Sequence, residues 1–400
     1  MVPADVQTDP QNPTSRLGAR LPRPALMLAA VLLVAFNLRV AVTSLGTLFE
    51  LAGLHPATQA VLTSLPVICF AVVGGLGKTL ISRVGLYHCQ TIAVGMLTAG
   101  LVVRVLDGPA ILILGTVLAC SGIALSNVLL PSLVKAHFPS RVGTVTGAYS
   151  AILSAGAAIG AMTTVPIAET SGSWRAGLLV WASTAALALV VWLTASRGMR
   201  RTIDSGSHRS LLRSPLAWAV TVVFALQSAS AYVTMSWLPS IYAAAGLSPQ
   251  QAGFLLAASI LVGVPVYFAA PVIAMRMRSQ GLLIAFFSLC LVCGYLGLCL
   301  APAAGGLAWA VLIGVGGSVF PVTLSLFALR TSNAADTASL SAMGQGFGYL
   351  IAAPMPFAVG LLQEWTGSWA LPCLVMATLC LIQTIVGFSA GRQRVIAPAR

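Results

Sequence analysis

The placement of charge leaves this chain few folds to choose from. Between about residue 25 and residue 390, long apolar runs alternate with short connections, and nearly every Lys, Arg, Asp and Glu falls in a connection. The runs lie at roughly 25–49, 59–77, 90–106, 110–134, 142–168 and 174–195, then 215–242, 251–274, 281–301, 307–329, 338–362 and 370–390. A hydrocarbon core about 30 Å thick needs roughly 20 apolar residues as helix. Peptide groups inside it must be satisfied within the segment. The runs therefore predict an all-α membrane protein with twelve transmembrane helices. Only 7% of the 400 residues are charged and 58% are hydrophobic, whereas a soluble domain carries about 25% charged residues.

Basic residues set the expected orientation. With the N-terminus inside, Arg16, Arg20, Arg23, Lys78, Arg83, Lys135 and Arg141 all fall on the cytoplasmic side, as do Arg197, Arg200, Arg201, Arg209 and Arg213. The second half adds Arg276, Arg278, Arg330, Arg392, Arg394 and Arg400. Such an asymmetry places both termini in the cytoplasm and the protein in the cytoplasmic membrane. The exceptions are Arg39, Arg104 and Arg175. The formal charge of +13 thus reflects membrane topology, and no dense basic face with interleaved aromatics points to nucleic acid. Cys290 and Cys293 form a C-x-x-C without a second pair or a nearby His, so all eight cysteines read as small apolar helix residues. No metal or cofactor is expected. Residues 1–23 read as a disordered cytoplasmic tail, 196–214 as a cytoplasmic linker and 392–400 as a second tail.

The linker divides the chain into two six-helix bundles, 24–195 and 215–391, and short matches across it indicate duplication. Glu169 begins "ETSGSWRAGLLV" and Glu364 begins "EWTGSWALPCLV". Ala52 begins "AGLHP" and Ala245 begins "AGLSP" at nearly the same offset. Parallel six-helix repeats related by an axis along the membrane normal are the architecture of the major facilitator superfamily. The chain resembles one branch of it, the cyanate/nitroimidazole transporter family. That resemblance is carried by "NLRVAVTSLG", "NVLLPSLVKAHFPSRVGTVTGAYS" and "LSAMGQGFGYLIAA". It implies alternating access and a small anionic or nitro-heteroaromatic solute.

Two of the superfamily's motifs are incomplete. The connection between spans 2 and 3, "GGLGKTLISRVGLYHC", keeps Arg83 and Gly85 but has Ser82 where an Asp would stand. Span 5 carries Gly147, Gly156 and Gly160 in the spacing of the antiporter glycine motif, with Ala161 in place of its proline. These five residues are gating candidates, although small residues also permit ordinary close packing.

Arg39 is the leading binding candidate. It sits mid-run with no mid-span acid to neutralise it, and a buried arginine costs about 2.5–3.5 kcal/mol on insertion scales. A planar anion would match the guanidinium with two parallel hydrogen bonds. Asn37 and Thr43 extend it as a polar stripe. The resembled superfamily lines its cavity with spans 1, 4, 7 and 10, helped by 5 and 11, which adds Asn127, Gln227, Tyr232, Gln345 and Tyr349. The 193-residue offset places Tyr232 opposite Arg39 and Ser230 opposite Asn37. Each neutral residue has an interhelical hydrogen bond as its alternative role.

Arg104 is expected to pair locally with Asp107 at the headgroups, and Arg175 reads similarly. Trp237 reads equally as an interfacial belt residue. The expected partners are lipid, a small solute and protons through groups such as His137, with the chain a monomer. Proton-coupled drug export, a polytopic enzyme and a non-transporting receptor are the rival readings. An enzyme would need clustered nucleophiles, metal ligands or acid pairs, and the scattered His and acidic residues do not supply them.

Overall fold

A computed structural model describes residues 24–48, 51–54, 56–199 and 211–396. The expected tail at 1–23, Glu50, most of the linker with Arg200, Arg201 and Arg209, and Arg400 lie outside the described residues. Every described element is helical. They are α1 (Pro24–Gly46), α2 (Pro56–Val84), α3 (Leu86–Val103), α4 (Pro109–His137), α5 (Val142–Ser171), α6 (Trp174–Ala195), α7 (Pro215–Ala244) and α8 (Pro249–Arg276). Then come α9 (Gly281–Leu300), α10 (Gly306–Gly316), α11 (Val319–Leu329), α12 (Ala334–Ala352), α13 (Met355–Thr366) and α14 (Ala370–Ala390).

Local chemistry explains where the helices start and stop. Proline opens α1, α2, α4, α7 and α8, because its missing N–H and fixed φ suit the first helical position. Ser248 and Gln251 close a capping box on α8. Gly172 and Gly367, the glycines of the two duplicated "GSW" triplets, share φ 65° and end α5 and α13 in the left-handed conformation. Each is followed within three residues by the start of the next helix, so the repeat is visible in backbone geometry.

Eleven segments are long and apolar enough to cross a membrane among the described residues, and α2 lies packed among them. The runs at 307–329 and 338–362 differ from expectation in being broken. The first divides at Gly317–Ser318 into α10 and α11, the second at Ala353–Pro354 into α12 and α13. Hydropathy continues across both breaks. The first falls at three successive small residues, Gly316 to Ser318, and at the second Pro354 lacks a donor for the helix ladder.

Helix pairing repeats across the halves. α1 packs on α5 and α6, and α3 on α4 and α6. In the second half α7 packs on α12 and α14, and α9 on α10 and α14. Across the halves α5 meets α8 and α2 meets α12, which is one contact seen twice under pseudo-two-fold symmetry.

The core divides unevenly along the bundle. At the end where α1 begins and α14 finishes, here the basic end, one continuous cluster joins both halves and includes Met27, Leu133, Ala217, Ala274 and Phe327. Toward the far end each half keeps its own cluster. Leu45, Leu62, Leu112 and Leu178 form one, and Leu238, Tyr242, Leu255 and Leu298 belong to the other. The halves are fused at the basic end and part toward the far end.

Candidate functional site

Where the halves part, a cavity of about 270 Å³ opens between them. Arg39 and Thr43 enter it from α1, Gln227 and Tyr232 from α7, and Tyr349 from α12. Thr43 is one turn beyond Arg39, and its hydroxyl donates to the Arg39 carbonyl at 3.1 Å. The Arg39 guanidinium stands 5.9 Å from the ring centroid of Phe320, on the first turn of α11. No ion pair or side-chain hydrogen bond engages it among the described residues. The phenols of Tyr232, Tyr267 and Tyr349 all lie within electrostatic range of it. Tyr232 and Tyr349 are 6.2 Å apart, and Phe70 of α2 backs Tyr349 at 5.0 Å. One cation thus faces a wall of aromatic rings, with Gln227, Ser154 and Ser259 as neutral polar groups around it.

The cavity belongs mostly to the second half. α5 supplies Leu153 to Met162 on the first-half side, and α8 supplies Ala257 to Tyr267 opposite. Met162 and Leu261 are 73% and 57% exposed although apolar, since they sit where α5 and α8 separate. α4 contributes nothing to the lining.

Several expected residues turn elsewhere. Asn37 is two residues from Arg39, about 200° around a helix of 3.6 residues per turn, so the two cannot form one stripe. It is fully buried against α6, where its amide donates to the Leu33 and Thr184 carbonyls at 2.8 and 3.2 Å and accepts from the Thr184 hydroxyl at 2.7 Å. Asn127 offers only its backbone carbonyl, which accepts from Gln345 Nε2 at 2.9 Å. Gln345 also donates to Ser341 at 2.9 Å, so it joins α12 to α4 outside the cavity lining. Gln227 lines the cavity while its side chain bonds Gly317 and Gln383 at 3.4 and 3.3 Å.

The glycines seat neighbouring helices. A Cβ at Gly156 would meet the Phe36 carbonyl at 2.6 Å, and one at Gly160 would meet Val40 and Thr43 within 2.8 Å, so both serve α1–α5 packing. Gly147 is different, because its Cβ would strike the Phe268 carbonyl of α8 at 2.2 Å, across the halves. Gly85 turns the chain between α2 and α3 with φ 87°, and Arg83 is exposed in the last turn of α2.

The expected Arg104–Asp107 pair is replaced. Asp107 receives Arg175 at 2.6 Å on the surface, and Arg175 stacks on Trp174 at 4.7 Å. Arg104 turns inward to 1% exposure and donates to the Ala41 carbonyl at 2.7 Å. Trp237 donates to the Pro356 carbonyl at 2.7 Å and packs on Trp369.

Tyr267 and Phe320 were not singled out by the sequence. Phe320 follows the Gly-Gly-Ser break between α10 and α11, and hydropathy carries no record of that break. Tyr267 stands on α8, a span given no lining role.

Eleven membrane-crossing segments with α2 packed among them, a two-fold helix pairing and a cavity between the halves are now in view, and the family model described as Major Facilitator Superfamily matches residues 27–353. The chain belongs to the major facilitator superfamily. It is therefore a membrane-spanning transporter of the alternating-access type. Among its superfamily relatives, the 2-nitroimidazole transporter of Escherichia coli (strain K12) is 35% identical over 380 residues, covering 93% of this chain and 96% of that one. The cyanate transport protein CynX of the same organism is 30% identical over 372 residues, covering 89% and 96%. The crystal structure of the superfamily member FucP in the outward conformation shares the fold, with TM-score 0.75 at 13% identity over 91% of this chain and 97% of that one.

Proposed function

We propose that this transporter carries a small anion, or a compact electron-rich heteroaromatic of the cyanate or nitroimidazole kind, in the cavity between its halves. The observation that carries this reading is Arg39, a permanent cation in the cavity with no anionic partner among the described residues and with aromatic rings around it. Guanidinium offers planar, paired donors to a carboxylate-like, nitro or cyanate group. Flat rings at Tyr232, Tyr267, Tyr349 and Phe320 suit a planar solute, and Thr43 and Gln227 add neutral hydrogen-bonding groups. The names of the two relatives point to the same chemistry.

The basic end is the cytoplasmic side in this reading, with both termini there and the protein in the cytoplasmic membrane. The cavity then faces outward, and rocking of the halves about the cavity, closing the far end and parting the basic end, would expose it inward. Among the described residues the lining includes no Asp or Glu, so the reading routes no proton through a cavity carboxylate.

The test is flux of labelled cyanate and of 2-nitroimidazole into liposomes carrying the purified protein, with and without a pH gradient. Arg39→Ala should abolish flux of the accepted solute, a loss of at least about a hundredfold if a charge-assisted pair worth about 3 kcal/mol is removed. Arg39→Lys should restore little of it, because the planar fork is gone. Full flux by a folded Arg39→Ala protein would refute the assignment.

A further inference from the structure

Arg39 has a counterpart on the opposite face of α1. Arg104, just past the end of α3, reaches inward between α1, α2 and α4 and is 1% exposed. One of its terminal nitrogens donates to the Ala41 carbonyl at 2.7 Å, and the other makes a long contact to Ser44 Oγ at 3.4 Å. Nε is buried with no acceptor among the described residues. A guanidinium carries five N–H donors and keeps its charge in proteins. Here most of that capacity is unspent, and no carboxylate pairs with it among the described residues. A buried charge left without a counter-charge is strongly destabilising.

The guanidinium borders a space of about 170 Å³ between α1, α2 and α4, distinct from the central cavity. Its walls are Ala41 and Leu45 of α1, Leu62 and Pro66 of α2, and Thr116 and Cys120 of α4. At about 30 Å³ per water this holds a few small molecules and nothing drug-sized. The Thr116 hydroxyl already donates to the Leu112 carbonyl at 2.7 Å. Apart from the arginine, the lining is nearly all apolar, so a guest is chosen by charge and size.

We propose that this space is a second binding site, for a compact inorganic monovalent anion such as a halide. The anion completes the coordination of Arg104 and ties the far ends of α1, α2 and α4 together. The site needs neither the central cavity nor its cargo. A lipid phosphate would offer the same charge, but the cavity's size assigns the site to a free ion.

The test is thermal unfolding of the purified full-length protein in delipidated detergent, with bromide replacing gluconate at constant ionic strength. Wild type and Arg39→Ala should show the same saturable rise in Tm. Arg104→Gln should lose it, with apparent affinity at least tenfold weaker. Cys120→Leu keeps the arginine but fills the space, and should lose it too, which covers the case in which Arg104→Gln fails to fold. Crystals grown in bromide should show an anomalous peak beside Arg104 Nε. The proposal is overturned by an absent or non-saturating shift in wild type, by a shift unchanged in Cys120→Leu, or by one lost only in Arg39→Ala, which would place the ion in the central cavity. A rise produced by added phosphatidylglycerol and not by bromide would also overturn it.

Discussion

Lys135 and Arg330 occupy equivalent places in the two halves and do opposite work. Each is a base at the basic end, Lys135 in the last turn of α4 and Arg330 just past α11, at the 195-residue spacing that separates Glu169 from Glu364. Arg330 turns into its own half. It is 3% exposed, donates from Nε to the Ala390 carbonyl at 2.9 Å and pairs with the Gln280 side chain, so α11, α14 and the start of α9 are held together. Lys135 leaves its half. Its ammonium meets the carbonyls of Ala328 and Thr331 and lies 3.3 Å from the Thr331 hydroxyl, which places a cation on the C-terminal carbonyls of α11. Duplication supplied two equivalent bases; one stabilises a bundle and the other joins two bundles. The first must persist through transport, whereas the second must break whenever the basic end opens.

The comparison fails most visibly if Arg330→Ala leaves the protein stable. Its removal strands Gln280 Oε1 and a buried carbonyl, at about 2–4 kcal/mol in total, and the thermal midpoint in detergent should fall by several degrees. A smaller effect of another kind is expected from Lys135→Ala. Charge-assisted bonds to carbonyls that stay partly solvated are worth about 1–2 kcal/mol, so the balance of basic-end-closed to basic-end-open protein should shift about five- to thirtyfold toward open. Labelling of a cysteine placed at the α5–α8 contact would report this, with the thermal midpoint nearly unchanged. A large loss of stability would instead make Lys135 equivalent to its counterpart. Gln345→Leu should act in the same direction with the smallest effect. It deletes one neutral cross-half bond, about 0.5–1 kcal/mol or a two- to fivefold shift. If Gln345→Leu exceeded Lys135→Ala, the joint between the halves would have to lie at mid-depth.

The division of labour between these bases was not legible in the sequence, though much else was. Hydropathy over twenty residues is a local property, so the spans could be read from it, and the duplicated halves were legible in short matches at one offset. Thr43 could be placed with Arg39 because four residues make a helical turn, and Tyr232 because the repeat offset carried one half onto the other. Asn37 was misplaced for the same local reason, since its two-residue separation from Arg39 puts it on the far side of the helix. Arg104 was assigned to Asp107, three residues on, because the alternative depends on distant packing. Gly115 has no side chain and a Cβ there would lie 2.4 Å from the Arg104 backbone, so α4 closes over the arginine and directs it inward. Whether Lys135 points home or across is set by how two bundles lean together, and no window of sequence contains that.

Phe320 has one last consequence. The guanidinium of Arg39 faces an aromatic ring, a contact worth about 0.5–2 kcal/mol, and the same ring lines the place a solute would take. The ring keeps the guanidinium from being a bare charge in a low-dielectric crevice, and such a contact would ease reorientation of the halves without a passenger. Vesicles loaded on one side only should accordingly discharge into solute-free buffer, and Phe320→Ala should slow that one-way discharge more than it slows exchange between equally filled compartments.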